Sequence, residues 1–268
     1  MDNEVDCKKN SKKKFRNITV ITVVLNGEKI LEETILSVIN QTYDDIEYII
    51  IDGESTDNTL DIIKKYELQV GNEKSSNISF HYISEADNGI YYAMNKGIDM
   101  ATGSWIIFMN AGDSFFSHSV LNEFMKKRIV NSSIIYGDMQ LILKKRNKII
   151  RPKSLSKKNH MTFCHQASFV RASVMKKLHF DTTYKICADR DFFWKAFNCG
   201  YLFQYIPIVI CNYEGEKGIS TMNRVQMRQE SGHIDGSDQK MWWRFKQFIL
   251  IIVCTVKSRL RHLIFTYP

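Results

Sequence analysis

Several absences narrow the class of this chain before any motif is read. The six cysteines (Cys7, Cys164, Cys187, Cys199, Cys211 and Cys254) form no C-x-x-C pair and no regular spacing. Neither a zinc site nor a disulfide framework is therefore indicated, and a reducing, cytoplasmic setting fits. No apolar run reaches the roughly 18 to 20 residues of a transmembrane helix, so the expectation is a soluble or peripheral protein. The first strand-to-helix turn, Leu25-Asn26-Gly27-Glu28, lacks G-x-G-x-x-G, and no G-x-x-x-x-G-K-[ST] occurs anywhere. Dinucleotide oxidoreductases and P-loop NTPases lose ground accordingly. No aromatic RNP, zinc or helix-turn-helix pattern accompanies the basic residues, so no nucleic-acid partner is expected. Only three prolines punctuate the 268 residues, and no internal repeat is present.

What is present is a 44% apolar composition, enough for a substantial core, and an excess of 37 basic over 29 acidic residues. The excess is uneven. Lys8, Lys9, Lys12, Lys13, Lys14 and Arg16 crowd residues 1–16, read as a basic disordered tail, and a second basic cluster closes the chain. No apolar h-region follows the first cluster, so it is not read as a signal peptide.

From Ile18 to Leu25 the sequence is β-branched and nearly all apolar, as a strand buried on both faces should be. Ile30, Leu31, Thr34, Ile35, Val38 and Ile39 then recur at helical spacing before a second buried strand at Tyr48–Ile51. A helix from about Thr59 to Tyr66, capped by Ser55 or Asp57, leads to a strand at Ile78–Ile83. A helix carrying Ile90, Met94 and Ile98 and a strand at Trp105–Met109 complete the alternation, which predicts a doubly wound α/β sheet over residues 17–115. Beyond residue 116 the pattern is α+β, with a helix near Leu121–Val130, a hairpin from Ile134 to Ile150, and helices around Ala172–Leu178 and Asp189–Asn198.

Ligands of open α/β sheets collect outside the carboxyl ends of strands. Here those places hold acids: Asp52 after the second strand, Glu85 and Asp87 after the third, Asp113 after the fourth. One such acid is commonly a helix cap. A cluster of them repels itself unless a cation or donors compensate, which points to a divalent metal and a nucleotide.

Four stretches, I-T-V-V-L-N-G, N-Q-T-Y-D-D-I-E-Y-I-I-I-D-G-E-S-T-D-N-T, S-E-A-D-N-G-I-Y-Y-A-M-N-K-G-I and W-I-I-F-M-N-A-G-D, resemble in order and spacing a family-2 glycosyltransferase of the GT-A fold. The resemblance spans about residues 17–220 and is nearest to bacterial exopolysaccharide enzymes of the colanic-acid type. It implies a Rossmann-like central sheet with a nucleotide-sugar-binding half (17–115) and an α+β acceptor-binding and catalytic half (116–222); residues 223–268, beyond the resemblance, are read as an amphipathic helical tail. It assigns Asp52 to the donor base, with Thr22, Val24 and Asn26 lining that pocket, and Asp87 to the ribose and base. Asn95 and Lys96 face the donor from the following helix, and Asn110, Ala111 and Gly112 belong to the same donor side. The family's acidic metal motif survives as N-A-G-D, leaving Asp113 as a lone carboxylate for Mg²⁺ or Mn²⁺, or else as a turn residue.

The resemblance also implies inverting transfer with Asp189, in A-D-R-D at a helix start, as general base. The plainer reading makes Asp189 a helix cap and pairs Asp191 with a basic side chain. His165, Gln166 and Asp191 fall on the acceptor or donor-sugar side, and Gly218 and Ser220 on a loop for the diphosphate. The implied partners are a nucleotide sugar, UDP-linked in preference to GDP-linked, and a glycan acceptor carried on a polyprenyl diphosphate. In residues 241–268 Trp242, Trp243 and basic residues flank an apolar run about half a bilayer long, which suits either the inner face of the cytoplasmic membrane or packing on protein. Gly112 and Ala188, standing where the family has acids, keep a second reading open: a non-catalytic nucleotide- or glycan-binding module.

Overall fold

The computed structural model describes residues 17–72, 77–144, 146–153, 155, 161–215 and 223–243. Its strands are β1 (Ile18–Val24), β2 (Ile46–Asp52), β3 (Ser79–Ser84), β4 (Trp105–Phe108), β5 (Ser114–Phe115), β6 (Ile134–Ile142), β7 (Lys148–Ile150), β8 (Ser168–Arg171) and β9 (Phe203–Glu214). The helices are α1 (Leu31–Ile39), α2 (Thr59–Asn72), α3 (Ile90–Met100), α4 (Val120–Lys127), α5 (Ala172–Leu178), α6 (Ala188–Asn198) and α7 (Arg224–Ile234).

All nine strands join one sheet in the order β3-β2-β1-β4-β8-β6-β9-β5, with β7 paired to β6. The four strands expected from the sequence run parallel to one another, β1 lying between β2 and β4. Every residue of β1, β2 and β4 is buried, because helices cover both faces. Alternate side chains separate accordingly. Val20, Ile50 and Ile107 pack with Leu31 and Ile35 of α1, Ile63 of α2 and Phe124 of α4. Ile21, Ile51, Ile106 and Phe108 face Met94 and Ile98 of α3, Met175 of α5 and Phe192 and Phe193 of α6. The α+β half does not form a separate layer. Its β8 runs antiparallel to β4 and continues the same sheet through β6 and β9.

The 12-residue β9 and the short β8 and β5 are additions to the sequence reading, and α2 continues to Asn72 rather than stopping near Tyr66. Pro207 sits inside β9 at the register shift between Tyr136↔Tyr205 and Asp138↔Val209, where the ladder is interrupted and a missing N–H is tolerated. Opposite it, a Cβ on Gly137 would stand 2.6 Å from the Ile208 carbonyl oxygen, so only glycine lets these two backbones approach.

At the amino end of the sheet, the buried Glu47 accepts from Thr19 Oγ1 (2.6 Å), Thr102 N (2.7 Å) and Thr102 Oγ1 (2.7 Å). The acids expected to do chemistry gather at the other end. Of the C-terminal tail, α7 and the residues to Trp243 are described; residues 1–16 and 244–268, with the Gly218 and Ser220 loop, lie outside the described residues.

Candidate active site

Two loops at the carboxyl ends of β1 and β2 are stitched together by the polar residues of the D-G-E-S-T-D-N-T motif. Asn26 Oδ1 accepts from Thr56 N at 2.9 Å, and Asn26 N donates to Ser55 Oγ at 2.7 Å. Gly27 N donates to Thr59 Oγ1 (2.8 Å), and Glu28 N to Asp57 Oδ2 (3.1 Å). Asp57 Oδ1 also accepts from Thr59 N at 3.0 Å, which makes it, rather than Ser55, the residue that turns the chain into α2. Asp52 is fully buried, its oxygens taken by Ser55 Oγ (2.5 Å), Ser55 N (3.2 Å) and Ser84 Oγ (2.6 Å). It anchors the floor of this end of the sheet.

Not every expected pocket residue reaches the surface. Thr22 is 0% exposed and donates to the Met109 carbonyl at 2.7 Å, beside the Tyr48 hydroxyl at 3.0 Å. Val24 is buried in the core against α1. Both differ from the pocket-lining positions expected of them, because β1 is central and its side chains are enclosed by helices. Asn95 departs as well: its Nδ2 donates to the Phe180 carbonyl and its Oδ1 accepts from Phe180 N, each at 2.9 Å, so it ties α3 to the segment after α5.

Lys96 joins two acids, with Nζ 2.6 Å from Asp87 Oδ1 and 2.7 Å from Glu85 Oε1, and these contacts raise its pKa. Asp87 Oδ2 is buried with no hydrogen-bond partner among the described residues.

The turn Asn110-Ala111-Gly112-Asp113 leaves β4 under the control of α1. Thr34 Oγ1 receives Gly112 N at 3.0 Å and donates to the Asp113 carbonyl at 2.7 Å. Gly112 has φ of 96°, a conformation that L side chains rarely adopt, so an acid in its place would be strained. Asp113 accepts from Gln166 Nε2 (2.8 Å) and Glu214 N (3.3 Å), and burial pushes its carboxyl up to about 6. Asn110 Oδ1 and Gln166 Oε1 are buried oxygens without partners among the described residues. This set of hard oxygens suits Mg²⁺ or Mn²⁺, although among the described residues no three His, Cys, Asp or Glu side chains converge on a metal-sized position.

Asp189 opens α6. Its Oδ2 lies 3.0 Å from His165 Nδ1 and its Oδ1 accepts from Arg190 N at 2.7 Å, with the Tyr91 hydroxyl 3.4 Å away. Tyr91 donates to the Ile186 carbonyl at 2.6 Å, and burial and the Asp189 charge push its hydroxyl well above the ordinary value. His165 and Asp189 side chains are 16% and 18% exposed, so both reach the surface of the site. Asp191 is turned to Lys195, 2.7 Å away on the same helix, and thereby leaves the acceptor side where it was expected. The loop before α6 is held by Glu230 of α7, which accepts from Lys185 N (3.1 Å), Ile186 N (2.9 Å) and Cys187 N (2.9 Å). Tyr91 lies within the S-E-A-D-N-G-I-Y-Y-A-M-N-K-G-I motif, where sequence reading assigned it no role; nothing in the sequence signals Glu230.

Solved structures with this arrangement of strands and helices include the S. aureus protein TarS, with a TM-score of 0.61 and 17% identity over 81% of this chain and 39% of that one. Another is the mannosyltransferase PcManGT from Pyrobaculum calidifontis in complex with GDP-Man and Mn²⁺, at a TM-score of 0.62 and 18% identity over 81% of this chain and 62% of that one. The fold is that of the GT-A glycosyltransferases. Within that class, Glycosyl transferase family 2 matches residues 19–202, and the chain belongs to it. A "PGL/p-HBAD biosynthesis glycosyltransferase" of Mycobacterium bovis is 31% identical over 212 residues, covering 75% of this chain and 78% of that protein.

Proposed function

We propose that this glycosyltransferase works with inversion, moving a sugar from a nucleotide sugar to a hydroxyl of a bacterial surface-polysaccharide unit carried on a polyprenyl diphosphate. The observation that carries the reading is the convergence of two acids on one short turn: Asp113 through Gln166 and Asp189 through His165. A diphosphate-side carboxylate and a partly exposed base are what such a transfer requires. The acceptor oxygen forms its bond to the anomeric carbon on the face opposite the departing group. The bond from that carbon to the diphosphate oxygen breaks, its electron pair leaves with the nucleoside diphosphate, and the acceptor proton passes to Asp189.

On the donor side, Asp87 Oδ2 suits a ribose hydroxyl, and the Asn26 and Asp52 loops frame the base. A UDP-sugar is favoured; TarS has been solved with UDP and with UDP-GlcNAc, and GDP-Man in PcManGT makes a GDP-sugar the second candidate. A divalent cation would be held by Asp113 with the amide oxygens of Asn110 and Gln166, and it would neutralise charge on the departing diphosphate. The acceptor and the basic, aromatic residues 241–268 fit a position on the inner face of the cytoplasmic membrane.

Incubation with a panel of UDP-, GDP- and dTDP-sugars, with released nucleotide as readout and the product anomer assigned by NMR, tests this. Release from a UDP-sugar with an inverted anomeric configuration is expected. A retained configuration would refute inversion, and nucleotide binding without release from any donor would favour the binding-module reading.

A further inference from the structure

His165 has more contacts than a pocket-wall histidine needs. Its turn, His165–Ala167, is held from behind by Ala167 N donating to the Cys164 carbonyl at 3.1 Å and by Ser168 Oγ donating to the His165 carbonyl at 2.8 Å. Ser168 opens β8 and is paired with Tyr136 of β6. The next side chain, Gln166, is fastened to Asp113 at 2.8 Å, and the Phe108 ring meets the imidazole edge-on at 6.4 Å. The turn that carries the ring is thus anchored without help from Asp189.

Its second nitrogen decides where the ring proton sits. His165 Nε2 faces Asn110 Nδ2 at 3.2 Å, and an amide nitrogen has hydrogens but no available lone pair. With the Asn110 amide turned this way, Nε2 accepts and the hydrogen lies on Nδ1, directed at Asp189 Oδ2 at 3.0 Å. A lone aspartate carboxylate turns through a broad, roughly two-fold well about its last torsion. With Arg190 N on Oδ1 and His165 Nδ1 on Oδ2, this one is fixed in a single plane.

We propose that His165 is the positioning residue of the base: Asn110 selects its Nδ1–H tautomer, and that N–H holds Asp189 in the plane from which it takes the acceptor's proton. The inference rests on Asp189 being the base. His165 itself moves no proton and adds no step to the transfer.

Isosteric replacements separate this role from simple packing. An asparagine amide can stand where Nδ1 stood and a glutamine amide nearer to Nε2, so His165→Asn keeps a donor for Asp189 while His165→Gln and His165→Ala remove it. With the donor sugar found by the panel, kcat should fall about 100-fold in His165→Gln and His165→Ala, with donor KM nearly unchanged, and recover at least about tenfold in His165→Asn. A ¹⁵N spectrum of the wild-type imidazoles, with His165 assigned by its loss in the variants, should show a neutral ring protonated on Nδ1 whatever the variants do. A ring protonated on Nε2, wild-type turnover in His165→Ala, or an asparagine variant as slow as the alanine variant at equal thermal stability would overturn the proposal. Full activity in Asp189→Asn would instead remove the reading of the base on which it stands.

Discussion

At the scale of single residues, Asp113 combines two demands that oppose each other. A carboxylate this deeply buried is costly to ionise, and its pKa stands at about 6 against an ordinary 3.8. Because the folded value is the higher one, the contribution of Asp113 to stability is fullest below about 3.8 and is lost as pH rises through about 6. Above that the ionised group costs the fold about 3 kcal/mol. Asp113→Asn should therefore stabilise the metal-free protein by roughly 1–3 kcal/mol at pH 8 and by little at pH 4, while weakening cation binding. Urea unfolding at both pH values checks it, and an equal effect at the two would contradict it. Sequence reading picked out Asp113, Gln166, His165 and Asp189 one by one, but the pairs they form span 53 and 24 residues, and the β4–β8 pairing with the packing of α6 on the sheet brings them together. Thr22 and Val24 misled for the opposite reason: their motif lies at a strand end, yet a central strand hides their side chains.

At the scale of elements, β1, β2 and β4 were readable because strands covered on both faces have uniformly apolar sequences. β9 was not, since Gln204, Tyr205, Pro207 and Asn212 break its apolar pattern. What holds it is the close approach at Gly137, and Gly137→Ala, which drives a methyl group into the Ile208 carbonyl, should cost about 1–3 kcal/mol. Glu47→Ala should cost about 2–3 kcal/mol by stranding Thr19 and Thr102 donors in the core. Glu47 lies at the amino end of β2, away from the site, so turnover per folded molecule should stay at the wild-type value. Thermal melts paired with activity at a temperature where both variants are folded check these two expectations, and a selective loss of kcat in Glu47→Ala would contradict the second.

At the scale of the whole molecule, one sheet carries both halves, the parallel strands β1 to β4 presenting the acids and the mixed extension β8-β6-β9-β5 delivering the His165–Gln166 turn and α6 to them. The first part was legible because strand and helix alternate with short connections; the second was not, because its order in the sheet, β8-β6-β9-β5, follows no sequence order. The basic, aromatic residues 241–268 predict binding to anionic vesicles at low salt that fades as salt rises. Flotation of the full chain and of a chain lacking those residues checks this; a full-length protein that never floats would contradict it. Most of the account depends on the acid at the start of α6. Turnover of wild type and Asp189→Asn on the same donor and acceptor, with nucleoside diphosphate affinity measured alongside, tests it most directly. Loss of the base should lower kcat by roughly 10² to 10⁴ with that affinity nearly unchanged; wild-type turnover in the variant would show that Asp189 is not the base.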